Sequence, residues 1–290
     1  MAHVDEEIAS QPTCWRRAVE LAAVSAMALP RRGHRVAAVG CGTSWFIAQA
    51  YAALRESNGH GETHAHAASQ FPAGRHYDRI LAISRSGTTT EVLDLIRRLP
   101  AHTPVTVLTG DPGSPVVGLA SDPLVLEFAD ERSVVQTRFA TTALALLLAH
   151  LDLPVPVAGG ADALSAPLPL DPATTEQVTF LGDGWTTGLG HEAALKCREA
   201  ARFWTESYPA MEYRHGPISI AAPGRAVWMF GEPPPSLATE VATTGAEFIH
   251  SGRHPLAELV VAQRFAVAAA GHRGLDPDTP VHLTRSVVLP

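Results

Sequence analysis

Two spacings of apolar residues alternate along the chain, one with the period of a helix and one in short uninterrupted runs. Residues 8–29 place Ile8, Trp15, Val19 and Ala22 on one side of a helical period and end at Pro30, which predicts a long first helix. The run Val36-Ala37-Ala38-Val39-Gly40 then predicts a buried strand, with Thr43 and Ser44 as capping residues for a helix through Leu54. Strand, turn and helix return in Arg79-Ile80-Leu81-Ala82-Ile83, the polar Ser84-Arg85-Ser86-Gly87-Thr88-Thr89-Thr90-Glu91, and an amphipathic helix over 92–99. Further strands are predicted at Val105-Thr106-Val107-Leu108 and Leu124-Val125-Leu126. Strands that alternate with helices in this way predict parallel βαβ units and a helix-covered sheet.

Between residues 153 and 172 the pattern gives way to Pro, Ala, Gly and Ser, which marks a boundary. Beyond it Thr179-Phe180-Leu181-Gly182-Asp183-Gly184 repeats the strand-to-glycine entry, followed by a helix over 189–203, a strand at Ala226-Val227-Trp228-Met229-Phe230, and a last helix beginning at Glu258. The expected organisation is a lead-in helix over 1–30, a first domain over 31–153, a linker over 154–173, and a second domain with a tail over 174–290. The expected class is α/β, with two tandem three-layer α/β/α domains, mainly parallel sheets, and halves that look like diverged copies of one unit.

Composition narrows the function classes. With 46% hydrophobic and 18% charged residues among 290, the chain can bury a sizeable core and is not an extended disordered polymer. A net charge of −7 argues against nucleic acid as a partner, yet leaves room for an anionic small ligand held by backbone amides. Cys14, Cys41 and Cys197 are odd in number and lack Cys-x-x-Cys spacing, so a disulfide framework and a zinc ribbon are not expected, and a reducing cytoplasm is. Asp5, Glu6 and Glu7 stand where a secretion signal would need basic residues. The apolar stretch over 142–151 is too short for a membrane span and is cut by His150. Lys196 is the one lysine, so a protein Schiff base has a single candidate.

Cys41-Gly42-Thr43-Ser44 and Ser84-Arg85-Ser86-Gly87-Thr88-Thr89 each follow a strand and open a helix, where unpaired amides and the helix dipole favour an anion. Their hydroxyls serve equally as phosphate donors or as ordinary helix caps. Glu192, Lys196 and Glu199 fall at i, i+4 and i+7, on one helical face. That spacing fits a carboxylate tuned for general-base work, and it also fits an exposed ladder of ion pairs. His215, in Tyr213-Arg214-His215-Gly216-Pro217, is a loop histidine suited to proton transfer. His60, His64 and His66 come without a metal-binding motif, and neither a metal nor a cofactor is expected.

Taken in order, these segments resemble the double sugar-isomerase (SIS) family, most nearly the isomerase half of glucosamine-6-phosphate synthase and its stand-alone phosphosugar isomerase and deaminase relatives. The resemblance runs through Glu7-Ile8-Ala9-Ser10-Gln11-Pro12, Gly40-Cys41-Gly42-Thr43-Ser44, Ala68-Ser69-Gln70-Phe71, the Ser84 turn, Glu131-Arg132-Ser133-Val134-Val135-Gln136-Thr137-Arg138, the Glu192 helix, Arg214-His215-Gly216-Pro217 and the tail from Leu275. It implies a sugar phosphate with Cys41, Gly42, Thr43, Ser44, Ser84, Ser86 and Thr89 around the phosphate and Gln136 and Thr137 near the sugar. It implies Glu199 as the base that shuttles a proton between C1 and C2, and His215 as the group that assists ring opening, supplied from the partner of a homodimer. Glu192 and Lys196 would line the same site and steady the intermediate.

Three departures qualify what the resemblance implies. The sequence begins Met1-Ala2 and enters the lead-in helix, so glutamine hydrolysis is not expected of this chain acting alone. Arg285 stands where the synthases carry a Schiff-base lysine, and is expected to clamp a hydroxyl or carboxylate. Arg85 stands where they carry glutamine, which places a cation beside the phosphate turn. The expected function is an aldose–ketose phosphosugar isomerase, with release of ammonia where the sugar carries a 2-amino group. The alternative is a non-catalytic sugar-phosphate sensor.

Overall fold

A computed structural model describes residues 2–72 and 74–289. The chain divides into two compact units. One comprises Ser10–Arg132, Gln136–Val155 and Thr284–Pro290, and the other Met1–Ala9, Ser133–Val135 and Pro156–Leu283. The main boundary thus falls at 155/156, inside the stretch expected to be a linker, and three shorter segments group with the unit that is distant in sequence.

The first of these units is built on a parallel sheet of five strands: β1 (Val36–Gly40), β2 (Thr63–Ala67), β3 (Arg79–Ile83), β4 (Val105–Thr109) and β5 (Asp122–Val125), in the order β2-β1-β3-β4-β5. Alternate residues Ala37, Val39, Ile80, Ala82, Val105 and Val107 form a core with Val92, Leu93, Leu95 and Ile96 of α3 (Thr90–Arg98). The other set, including Ala38, Leu81 and Leu108, is buried as well, so helices must cover both faces, as parallel sheets require. The further helices are α2 (Thr43–Ser57), which packs on β1 and β2, and the mostly buried α4 (Arg138–His150), which packs on α2.

The second unit repeats the plan with four parallel strands: β6 (Gln177–Gly182), β7 (Thr205–Pro209), β8 (Arg225–Phe230) and β9 (Glu247–Ile249), in the order β7-β6-β8-β9. Leu181, Val227 and Met229 pack with Leu237 and Val241 of α7 (Leu237–Thr243). Phe180 and Trp228 stack with ring centroids 5.6 Å apart, and Trp228 meets Phe265 of α8 (Pro255–His272) edge-on. Helix α6 (Thr186–Ala201) packs on α8 and on β6 and β7.

In both units the first strand is flanked by the second and third, so the strand order reverses between β1 and β3 and between β6 and β8. Such reversals open a crevice at the carboxyl ends of the strands. The turn at each is built alike. A Cβ on Gly40 would lie 2.6 Å from the Ser44 carbonyl carbon, and one on Gly182 would lie 2.3 Å from that of Thr186. Two residues on, Gly42 and Gly184 take φ of +52° and +53°. The α/β class and the two parallel sheets agree with the sequence expectation.

Several boundaries differ from it. Helix α1 (His3–Val24) starts earlier than 8–29, because the Asp278 carboxylate accepts from the amides of His3 (2.7 Å) and Val4 (2.9 Å) and caps it, and it ends earlier, giving way to a 3-10 turn at Ala26–Ala28. The 154–173 stretch holds a helix, α5 (Val157–Ser165), which packs on α8 while Arg264 donates to the carbonyls of Ala163 (2.9 Å) and Ala166 (2.6 Å). His64 and His66 lie on one face of edge strand β2, where Nδ1 of the first and Nε2 of the second are each 3.0 Å from the Tyr77 hydroxyl. Among the described residues no helix is long and apolar enough to cross a membrane.

Replacing Gly40 or Gly182 by Ala should destabilise the protein by about 1–3 kcal/mol, the usual cost of overpacking, since the opposing atoms are helix backbone and cannot swing aside. Urea denaturation of G40A and G182A checks this, with the nearly uncrowded Gly271 as the control position.

Candidate active site

The strand reversal in the first unit brings two polar turns to the carboxyl ends of β1 and β3. In the first, Thr43 and Ser44 are buried and open α2, with the amides of Trp45 (3.0 Å) and Phe46 (3.2 Å) donating to the Gly42 carbonyl. Cys41 precedes them half-buried. Burial, reinforced by the Glu91 carboxylate, pushes its thiol up to about 11, so it is a neutral group at physiological pH rather than a nucleophile.

The second turn holds Ser84, Ser86 and Thr89. Ser86 Oγ accepts from the amide (3.3 Å) and hydroxyl (3.0 Å) of Thr88, while Thr89 is the N-cap residue of α3. Ser84 is 4% exposed, and its hydroxyl has no hydrogen-bond partner among the described residues. The side-chain nitrogen of Gln136, a residue 8% exposed, is likewise buried and unbonded. A buried polar atom without a partner costs about 1–3 kcal/mol, so both are donors that a bound acceptor would satisfy.

The two arginines that depart from the synthase pattern are both paired within the first unit. Arg85 is 3.5 Å from the Glu131 carboxylate and donates to the Arg285 carbonyl at 3.1 Å. Arg285 pairs with Asp130 at 2.5 Å and donates to the Glu131 carbonyl. Glu131 in turn accepts from the amide (2.7 Å) and hydroxyl (2.9 Å) of Thr137 and from the Arg138 amide (2.7 Å), at the start of α4. Thr137 is thus committed to Glu131, whereas the neighbouring Gln136 amide nitrogen is not engaged. Asp130 and Glu131 were not among the expected site residues. Their placement beside an acidic-to-helix junction is visible in sequence, but their arginine partners are not.

In the second unit α6 carries the acidic and basic face that its spacing predicts. Lys196 Nζ lies 2.5 Å from Glu199 Oε2 and 3.5 Å from Glu192 Oε1. Glu192 is fully buried and Lys196 is 1% exposed, which removes the exposed-ladder alternative. The side chain of Glu199 keeps 20% exposure, so of the three it is the one solvent or a ligand can reach. The intervening Cys197 thiol, raised to about 12 by burial, is inert.

His215 is exposed and closes a short 3-10 turn, Glu212–Arg214, just before Gly216 at φ +128° and Pro217. Its neighbour Arg214 anchors the loop on α7 with a two-pronged grip on Glu240, Nε to Oε2 at 2.7 Å and Nη2 to Oε1 at 3.1 Å. Those bonds, with the Ser236 hydroxyl, hold the Glu240 carboxyl below the usual carboxylate range. The sequence singled out His215 but not this anchor.

No protein-family model matches the chain. The glutamine–fructose-6-phosphate aminotransferase of Sulfurisphaera tokodaii is 27% identical over 73% of this chain and 42% of its own length. The chain spans about half the length of the curated relatives it matches. Among solved structures, the glucosamine-6-phosphate deaminase of Thermotoga maritima superposes with a TM-score of 0.83 at 25% identity, covering 99% of this chain and all of that one. The tagatose-6-phosphate ketose/aldose isomerase of Escherichia coli superposes at 0.78 with 20% identity, over 98% of this chain and 97% of that one. The fold is therefore that of SIS-type phosphosugar isomerase structures, and the chain's homologues and structural neighbours are phosphosugar enzymes.

Removing the charge of Lys196 should be costly, because it leaves the fully buried Glu192 without this cation. K196M is expected to lose about 3–5 kcal/mol in a denaturant titration. Cys41 should resist iodoacetamide at about pH 8 and react only as pH approaches its raised value, as peptide mass spectrometry across a pH series would show.

Proposed function

We propose that the chain is a phosphosugar isomerase that interconverts an aldose phosphate and its ketose, and that releases ammonia where the sugar carries a 2-amino group. The observation that carries the reading is a pair of buried, unbonded groups of the first unit, Ser84 Oγ at the turn after β3 and Gln136 Nε2 just ahead of α4. A phosphorylated polyol supplies acceptors for both. The phosphate would lie among Cys41, Gly42, Thr43, Ser44, Ser84, Ser86 and Thr89, held by hydroxyls and amides rather than by a cation. Gln136 and Thr137 would face the sugar.

In this reading Glu199 is the base. It removes the C2 proton of the open-chain aldose, the C–H electron pair forms the C1=C2 bond of an enediol, and O1 takes up a proton. The same carboxyl then returns its proton to C1 as O2 loses one and becomes the ketose carbonyl. With a 2-amino sugar the second step yields a C2 imine, which one water hydrolyses to the ketose and ammonia. Lys196 holds Glu199 in place at 2.5 Å and offers positive charge to the developing oxyanion. His215 assists ring opening, and its exposure fits donation to a partner subunit's site in a homodimer. The deaminase outcome is supported by the Thermotoga maritima structure, which matches over 99% of the chain.

The test is NMR in D₂O with a panel of hexose and hexosamine 6-phosphates, following exchange at C1 and C2, isomerisation and free ammonia. Exchange should be seen with one sugar series and should fall by about 10³-fold or more in E199Q, in keeping with the loss of a positioned general base. Tight binding without carbon-bound exchange in the unaltered protein would overturn the enzyme reading in favour of a sugar-phosphate sensor.

A further inference from the structure

Arg85 sits between the two serines of the phosphate turn, and its guanidinium reaches the Glu131 carboxylate and the Arg285 carbonyl. We propose that Arg85 is a positioning residue rather than a phosphate ligand: it fixes Glu131, and through it the Gln136–Thr137 segment, while fastening residues 285–289 across the β3–α3 turn.

The Arg85 and Glu131 side chains are 6% and 0% exposed, so removing either charge leaves the other buried without this counter-charge. Glu131 divides its two oxygens between two tasks. Oε2 faces Arg85, whereas Oε1 accepts from the Thr137 amide, the Thr137 hydroxyl and the Arg138 amide. The carboxylate thereby occupies the anion position at the start of α4 itself. Turning Arg85 toward a phosphate would strip Glu131 of its cation and loosen the residue that follows Gln136.

The same guanidinium reaches the 285–289 segment. Its Nη2 donates to the Arg285 carbonyl, which a planar fork of five donors can do while Nη1 faces the Glu131 carboxylate. Beyond that point the segment is paired with the turn residue by residue: Thr88 Oγ1 donates to Ser286 Oγ (2.8 Å), the Thr90 amide to the Val287 carbonyl (3.1 Å), and the Leu289 amide to Thr90 Oγ1 (2.9 Å). Arg285 locks the segment from its own side through Asp130 and the Glu131 carbonyl. Both arginines therefore converge on residues 130–131, and their charges are matched there.

The effect on sugar binding rests on the reading in Proposed function; the effect on segment 285–289 does not. In R85Q, hydrogen exchange at the Thr90 and Leu289 amides should rise about tenfold or more, the effect of losing a hydrogen bond from a charged donor. Calorimetry should show inorganic phosphate bound within about twofold of the unaltered protein, since the hydroxyl cradle is intact, while glucose 6-phosphate or glucosamine 6-phosphate binds about tenfold more weakly. Loss of inorganic phosphate binding with both amides still protected would make Arg85 a direct ligand and overturn the proposal, as would R85Q with neither quantity changed. Should R85Q not fold, R285Q decides: its side chain is 36% exposed, and faster exchange at Leu289 supports the fastening whereas unchanged exchange overturns it. If the unaltered protein binds neither phosphate nor a sugar phosphate, the functional reading fails and the amide exchange alone decides this proposal.

Discussion

The close approach of a strand end to the helix that follows it is the constraint on which the rest depends. At Gly40 and Gly182 the backbone of the next helix passes where a side chain would stand, within 2.6 and 2.3 Å of an added Cβ. That approach lets the chain turn back over its own sheet in two residues. It sets the first helical amides at the carboxyl edge of the strands, and the strand order reverses at the same place. In the first unit the turn is then free to carry hydroxyls, and Thr43 and Ser44 follow at once. In the second unit the matching Thr186 hydroxyl is spent on the Phe230 carbonyl at 2.8 Å and the Asp183 carbonyl at 3.0 Å. The same backbone geometry thus leaves one turn suited to a ligand and closes the other with its own bonds.

Charge is handled by a related rule. The buried carboxylates are tied to specific donors: Glu131 to Arg85 and the start of α4, Glu192 to Lys196, and Glu7 to the Ser133 amide at 3.2 Å. Buried pairs of this kind add little net stability over an apolar core, but removing one member is severe, so they fix geometry more than they raise stability. The buried Ser84 hydroxyl and Gln136 amide nitrogen carry no such bond among the described residues.

The elements legible in the sequence are those whose cause is local. Strands β1, β3, β4 and β8 are short, mostly apolar runs, and the glycine closing β1 and β6 marks the turn. Strand β2 escapes notice because Thr63-His64-Ala65-His66-Ala67 lies at a sheet edge, where His64 and His66 share one Tyr77 hydroxyl instead of a hydrophobic core. The start of α1 is set by Asp278, a cap 275 positions away from His3. Helix α5 contains Gly159 and Gly160 in a proline-flanked stretch that reads as a linker, and it is held by Arg264 from α8. In the site, the hydroxyl turns and the Glu192–Lys196–Glu199 face follow from spacing alone. The arginines do not. Position 85 in sequence says only that a cation is near the turn, whereas its direction depends on Glu131, which no local pattern connects to it.

The chain's one lysine bears on the kind of chemistry the second unit suits. Lys196 is 1% exposed, and its ammonium is matched by carboxylates at 2.5 and 3.5 Å. To attack a carbonyl it would first have to give up its proton, which removes that positive charge from beside a fully buried Glu192 at a cost of several kcal/mol. Arg285, the other basic residue the resemblance brings into question, is not a competent amine and is engaged with Asp130. What the arrangement does offer is a carboxylate, Glu199, that is partly exposed, oriented by a fixed cation and within reach of solvent. A group so placed is suited to proton transfer. The physical character of α6 therefore favours proton transfer under electrostatic stabilisation over covalent catalysis, and it does so through burial and pairing rather than through any resemblance of sequence.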